Sequence, residues 1–251
     1  MKRTILMLAA ALAAPAAALA AGDTPPAKQL ACVYETSGGV EIRAAGKTGW
    51  EPAAKGTPLA EGDKLRTGRN GSCELLFKDG SFVRLDGDSE AAVEKLSAGA
   101  GSRDFSFSFL RGKALWMAFK LRQKTASKFL VRTPSAVCAV RGTDFSMLVS
   151  TGGETAVGLF DGEVAVSGAQ GEKLLLPGRE AAAGAGGVEI KDHFSSLMKA
   201  EERRYARLKG RVESLRKRLA ERENFIDDYI SRQRQKISDF EKRRQEKLKK
   251  R

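Results

Sequence analysis

RDFSFSFL, Arg103 to Leu110, alternates without a lapse: Phe105, Phe107 and Phe109 fall on one side of an extended chain, Ser106 and Ser108 on the other. A period of two is the mark of a half-buried strand. Similar short runs flank it, namely GGVEIR (38–43), SCELLFKDGSFVRL (72–85), KFLVRT (128–133), AVGLFDGEVAVSG (156–168) and GREAAAGAGGVEI (178–190). Many short strands punctuated by glycine predict an all-β unit from about Gln29 to Ile190. Within it a phrase recurs in which apolar residues, a Gly and one charged residue lead into a new apolar run: RGKALW (111–116), DGEVAV (161–166) and, more loosely, FKDGSFVRL (77–85). The recurrence predicts hairpins or successive coils, each glycine turning the chain with positive φ. A β-roll or solenoid-like domain is expected ahead of a sandwich-like one, with spacing too irregular for a long β-helix.

Beyond Ile190 the period changes. From Asp192 to Arg251 there is no proline and a single glycine, Gly210, which predicts one long C-terminal α-helix capped by Asp192. A seven-residue frame places Tyr205, Leu208, Val212, Leu215, Leu219, Ile226 and Tyr229 in one seam, with Phe194, Met198 and Phe240 extending it. Glu201, Arg222, Gln233 and Lys236 interrupt it. Such a narrow apolar stripe predicts a coiled coil, with self-association first, docking back onto the β-domain second and a separate partner helix third. Unbroken, the helix would reach about 90 Å at 1.5 Å per residue. The whole chain is therefore expected to be mainly β, followed by one helical extension.

The first twenty residues, MKRTILMLAAALAAPAAALA, combine Lys2 and Arg3 with an Ala/Leu run and a small-x-small end at Ala18-Leu19-Ala20. They predict a cleaved signal peptide over 1–20, then a linker (21–28), the β-domain (29–190) and a basic helix (191–251). The compartment implied is periplasmic or secreted, with no membrane-spanning helix in the mature chain. The formal charge of +13 is concentrated in the helix, where residues 191–251 hold 21 Lys/Arg against 11 Asp/Glu. Export turns that charge away from nucleic acid and towards anionic envelope polymers, a membrane surface or an acidic protein. The three cysteines, Cys32, Cys73 and Cys138, lack metal or haem spacing. Cys73 and Cys138 are expected as buried free thiols, with a bridge between them as the alternative.

Catalysis requires a convergent set of acid, base, nucleophile or metal ligands. The single histidine, His193, stands beside Asp192 at the expected helix start, and one His with three scattered Cys builds no ordinary zinc site. Asp86-Gly87-Asp88 fails the calcium-loop spacing and reads as a turn. Trp50 and Trp116 read as packing residues beside strands. No enzyme, cofactor or metal is expected. The break VRGTDF, Val140 to Phe145, interrupts an apolar run. It is expected to form a corner of the β-domain: Gly142 in a conformation other residues avoid, Thr143 and Asp144 bonding nearby backbone, and Arg141 paired with a carboxylate such as Asp144 or Asp79.

Taken in order, GGVEIR, Trp50, GTPLAEGDKLRTG (56–68), SCELLFKDGSFVRL, LRGKALW, KFLVRTPSAVCAVRGTDFSM and VGLFDGEVAV resemble the FecR-type domain, over about Gly38 to Val166. That domain is the periplasmic part of the ferric-citrate regulator family, and Arg141, Gly142, Thr143, Asp144 and Phe145 fall in its most distinctive stretch. The resemblance implies a β-rich extracytoplasmic binding domain. In the regulator, a cytoplasmic segment and a transmembrane helix precede it; here a signal peptide is read in their place. The expectation is an exported binding or scaffolding module of the cell envelope, its helix serving self-association or tethering. The alternative is a periplasmic sensor acting through a separate membrane partner.

Overall fold

The computed structural model describes residues 29–99, 102–120 and 127–249. The expected signal peptide and linker lie outside these. In chain order the strands are β1 (Ala31–Ser37), β2 (Val40–Arg43), β3 (Glu51–Pro52), β4 (Lys64–Thr67), β5 (Ser72–Phe77), β6 (Phe82–Leu85), β7 (Glu90–Gly99) and β8 (Ser102–Met117). They continue as β9 (Lys128–Arg132), β10 (Val137–Val140), β11 (Asp144–Val149), β12 (Thr155–Asp161), β13 (Val164–Gly168), β14 (Gly171–Leu175), β15 (Glu180–Gly184) and β16 (Gly187–Lys191). Two helices follow, α1 (Ser196–Glu221) and α2 (Phe225–Lys249).

RDFSFSFL opens β8, a 16-residue strand on which the fold turns. Its first part pairs with β7 and, in parallel, with β9, while its last part pairs with β6 and β11. The strand therefore belongs to two sheets. One runs β1-β5-β6-β8-β11-β12-β15-β16, the other β3-β2-β4-β7-β8-β9-β10-β13-β14. The exchange happens at Gly112, where φ is +97° and an added Cβ would lie 2.5 Å from Ser89 Cα. Only glycine fits both demands. The bend also changes parity: Phe105, Phe107 and Phe109 face the core before it, Ala114 and Trp116 after it. Trp116 then lies 5.3 Å from the Phe107 ring and stacks on Phe145 with 9° between planes.

The observed architecture is thus mainly β, as expected, with largely antiparallel strands in two layers that share β8 and do not close. RGKALW runs from just before the bend of the continuous strand β8 into its last part, and DGEVAV is a crossing from β12 in one layer to β13 in the other. Only FKDGSFVRL forms a hairpin, β5 to β6. Positive φ at Gly80, Gly112 and Gly162 is common to all three, so the shared phrase encodes a glycine turn and not a shared topology.

The helical region also departs in detail from its expected form. Its N-cap is Ser195, whose hydroxyl accepts from the Met198 N–H at 3.3 Å, while Asp192 stays outside. Glu180 of β15 accepts from the Ser195 N–H at 2.7 Å, so the sheet itself sets where the helix begins. The single helix is broken at residues 222–224, with Arg222 extended at φ −136°. Asn224 precedes α2, and Asp227 and Asp228 occupy its first turn, where carboxylates complement the positive helix end. The break lets the apolar stripe follow the sheet. Tyr205, Val212 and Leu215 of α1, with Phe225, Ile226 and Ile230 of α2, cover Cys32, Leu76, Phe82, Leu115 and Met117. Leu208, Leu219 and Tyr229 pack at the margin. The stripe expected to seek another helix lies, over this length, on its own β-domain.

Candidate interaction surface

The VRGTDF stretch occupies a crossing between layers, from β10 in one sheet to β11 in the other. Gly142 has φ +64°, and a Cβ there would come 2.8 Å from Lys120 Cα. Thr143 is buried, donating its hydroxyl to the Glu163 carbonyl at 2.9 Å and accepting from the Glu163 N–H at 3.3 Å. Glu163 belongs to the β12–β13 crossing, whose Gly162 lies so near Gly142 that a Cβ would sit 2.7 Å from the Gly142 carbonyl oxygen. Two crossings thus stack through one threonine. Phe145 enters the core under Trp116. Arg141 departs from expectation: its side chain is exposed, Asp79 is held by Arg103, and Asp144 turns to the outer face.

On that face Asp144 accepts from the Tyr205 hydroxyl at 3.0 Å and has Arg216 at 3.9 Å. Burial pushes its carboxyl above the usual range, against the pull of Arg216 and Tyr205. Asp144 is one of three buried sheet carboxylates met by arginines of α1. Glu74 pairs with Arg211 as well as with Arg84 at 2.7 Å. Asp86 pairs with Arg204 and with Arg84 at 3.2 Å. A reversed pair completes the seam, Glu201 of α1 with Lys113 of β8 at 3.8 Å. Burial likewise raises the Glu201 carboxyl, opposed by Lys113. Arg216 also donates to the Gly80 and Met117 carbonyls at 3.0 and 3.2 Å.

The seam sets register more than strength. A buried pair roughly repays its desolvation, whereas stripping one partner costs about 3–5 kcal/mol. A helix shifted by one turn would carry Arg204, Arg211 and Arg216 away from Asp86, Glu74 and Asp144, leaving Arg84 alone to serve both Glu74 and Asp86. By spacing alone Arg204, Arg211 and Arg216 belong to a solvated helix face; what marks them is adjacency to Tyr205, Val212 and Leu215.

Past Gln233 the helix runs beyond the sheet. The spacing of Ile226, Ile230 and Gln233 continues as Ile237 and Phe240, then Leu248, on one face of the helix. These last three are 44%, 69% and 64% exposed. Residues 231–251 hold ten Lys/Arg against three Asp/Glu.

Other singled-out residues take lesser parts. Trp50 is half-buried between the guanidinium groups of Arg43 and Arg66, at 4.8 and 4.4 Å. His193 is exposed, and Asp88 sits in a turn with φ +56°. Cys32, Cys73 and Cys138 are buried free thiols, each pushed up to about 12 by burial. Among the described residues no three His, Cys, Asp or Glu side chains converge as metal ligands, and no helix is long and apolar enough to cross a membrane.

Residues 63–165 match the family described as FecR protein, a span from β4 to β13 that includes both stacked crossings. The chain carries a FecR-type domain. Two crystal structures of a candidate anti-sigma factor from Parabacteroides distasonis are similar to it at 19% identity, with TM-scores of 0.43 and 0.44. The likeness covers 52% of this chain and 59% of that one. No curated protein matches.

Proposed function

We propose that this protein is an exported, non-enzymatic binding module of the cell envelope, in which the FecR-type domain holds a helical arm and the arm's free end engages a partner. The observation that carries this reading is the continuity of the α2 stripe. It is buried from Phe225 to Ile230 and then exposed at Ile237, Phe240 and Leu248 within a strongly basic segment. Apolar residues spaced on one helix face beyond the domain are a docking motif for a protein surface. The surplus of positive charge repels a second copy of the same arm and favours an acidic partner. Export is supported by the signal-peptide pattern of residues 1–20 and by the periplasmic setting of the family.

The test is capture from an envelope extract with the full chain and an Ile237→Ser/Phe240→Ser variant. Both positions are exposed, so circular dichroism and the melting curve should be unchanged while the captured partner is lost. Equal capture by both proteins would place the binding surface elsewhere.

The second reading, a sensor component working through a separate membrane partner, is favoured by one contact. Asp144, at the end of the family's distinctive stretch, grips α1 through Tyr205, so a disturbance of that crossing is felt by the arm. Faster exchange of α1 amides when the domain is challenged with envelope extract would support it.

A further inference from the structure

We infer that the cleft at the break between α1 and α2 is a binding site for a small, multiply charged oxyanion of the phosphate-ester class. The cleft, about 530 Å³ in volume, is lined by Arg218 at the end of α1, Arg222 in the break, and Arg232 and Lys236 of α2. Tyr34 and Tyr229, with ring centroids 5.0 Å apart, form its wall, and among the described residues Glu221 is its one lining carboxylate.

The arrangement is costly without an anion. Arg232 and Lys236 are a like-charge pair four residues apart on α2, unfavourable on that helix, and Arg218 of α1 with Arg222 of the break adds a second pair of cations. The break then turns the two pairs towards one space. Arg218 and Arg222 have a local reason to be basic, since they lie at the α1 C-terminus, where positive charge offsets the helix dipole. Arg232 and Lys236 have none there. Among the described residues no carboxylate forms an ion pair with any of the four, whereas Arg204, Arg211 and Arg216 of α1 are all matched to acids of the sheet. The Arg232 Nε–H donates to the Asp228 carbonyl at 3.2 Å, which fixes the side chain and leaves the terminal nitrogens of its fork available.

The chemistry follows from the donors. Three guanidinium forks and an ammonium suit oxygens of a phosphate, which arginine grips in pairs. With Glu221 counted, the lining carries three net positive charges, enough for a di- or triphosphate group. Its volume lies within the range of small-ligand sites and exceeds what a bare anion fills. The tyrosine wall offers the remainder of such a ligand a flat apolar face.

Inorganic pyrophosphate is the probe, titrated calorimetrically into the full mature chain at moderate salt. One saturable site is expected, together with a rise in melting temperature. The Arg222→Gln/Arg232→Gln variant should bind at least tenfold more weakly, lose the thermal shift and, without anion, melt no lower than the parent because a repulsion has been removed. Arg243→Gln/Arg244→Gln on the free arm should bind like the parent. No saturable binding, or equal weakening by both variants, would overturn the site. A cleft variant that melts lower without anion would assign these cations to stability. None of these results bears on the arm's exposed stripe.

Discussion

The Tyr205 hydroxyl donates to the Asp144 carboxylate at 3.0 Å, and both groups are buried between α1 and the sheet. One contact therefore joins the stretch that defines the domain to the helix appended after it. Tyr205→Phe removes the donor and leaves the carboxylate with Arg216 at 3.9 Å. A loss of about 1–3 kcal/mol is expected, the cost of an unsatisfied buried acceptor. Denaturant unfolding measures it, and hydrogen exchange should show α1 opening more often while the strands around Trp116 stay protected.

Acidity should act on this interface in an unusual direction. Burial raises the carboxyls of Asp144 and Glu201 in the folded protein. In the window from about pH 4, the unfolded value, up to the raised folded values, the native state binds more protons than the unfolded state. The stability from these two groups is complete below that window and lost as pH rises through it. An Asp144→Asn/Glu201→Gln variant should therefore lack this slope. Melting temperatures of both proteins across pH 4–7 give the comparison as a difference, which removes the carboxylates they share.

The stacked crossings should tolerate change at Arg141 and at neither glycine. Gly142→Ala and Gly162→Ala each force a side chain into positive φ, costing about 1–2 kcal/mol, and each adds a contact under 3 Å. Arg141→Ala removes an exposed side chain and should stay within about 0.5 kcal/mol of the parent. Thermal melts of the three variants decide the matter.

The thiols provide a clock for helix undocking. All three are buried and pushed up to about 12, so a disulfide reagent should label the native protein slowly and find three free thiols after denaturation. Cys32 lies under α2, whereas Cys73 and Cys138 lie between the sheets. Cys32 should react first, and Ile226→Ala should speed Cys32 far more than the other two. Mass spectrometry of the labelled peptides follows each site.

The β-class was legible because alternation in RDFSFSFL survives folding intact: the three phenylalanines do face the core. Topology was not, because Gly112 and Gly80 carry the same local signal while one bends a strand and the other closes a hairpin. Which of these a glycine does depends on Ser89, 23 residues away, crowding Gly112. The helix break was written in Asn224, Asp227 and Asp228, yet a seven-residue frame runs across them with little loss of pattern. The buried seam was the least accessible. Arginine on a helix looks solvated until a carboxylate such as Glu74, 137 positions earlier, is known to lie beneath it.

Strand β8 divides the molecule in sequence and unites it in space. The strands before it and the strands after it each contribute to both layers, so neither portion owns a complete sheet. A chain severed near residue 100 would yield two pieces with complementary unfinished edges, each supplying the hydrogen-bond partners the other lacks. Such pieces should be poor folders apart and competent together, which makes the domain a natural split reporter: reunion of its parts would restore the Trp116 environment, and fluorescence would report the encounter.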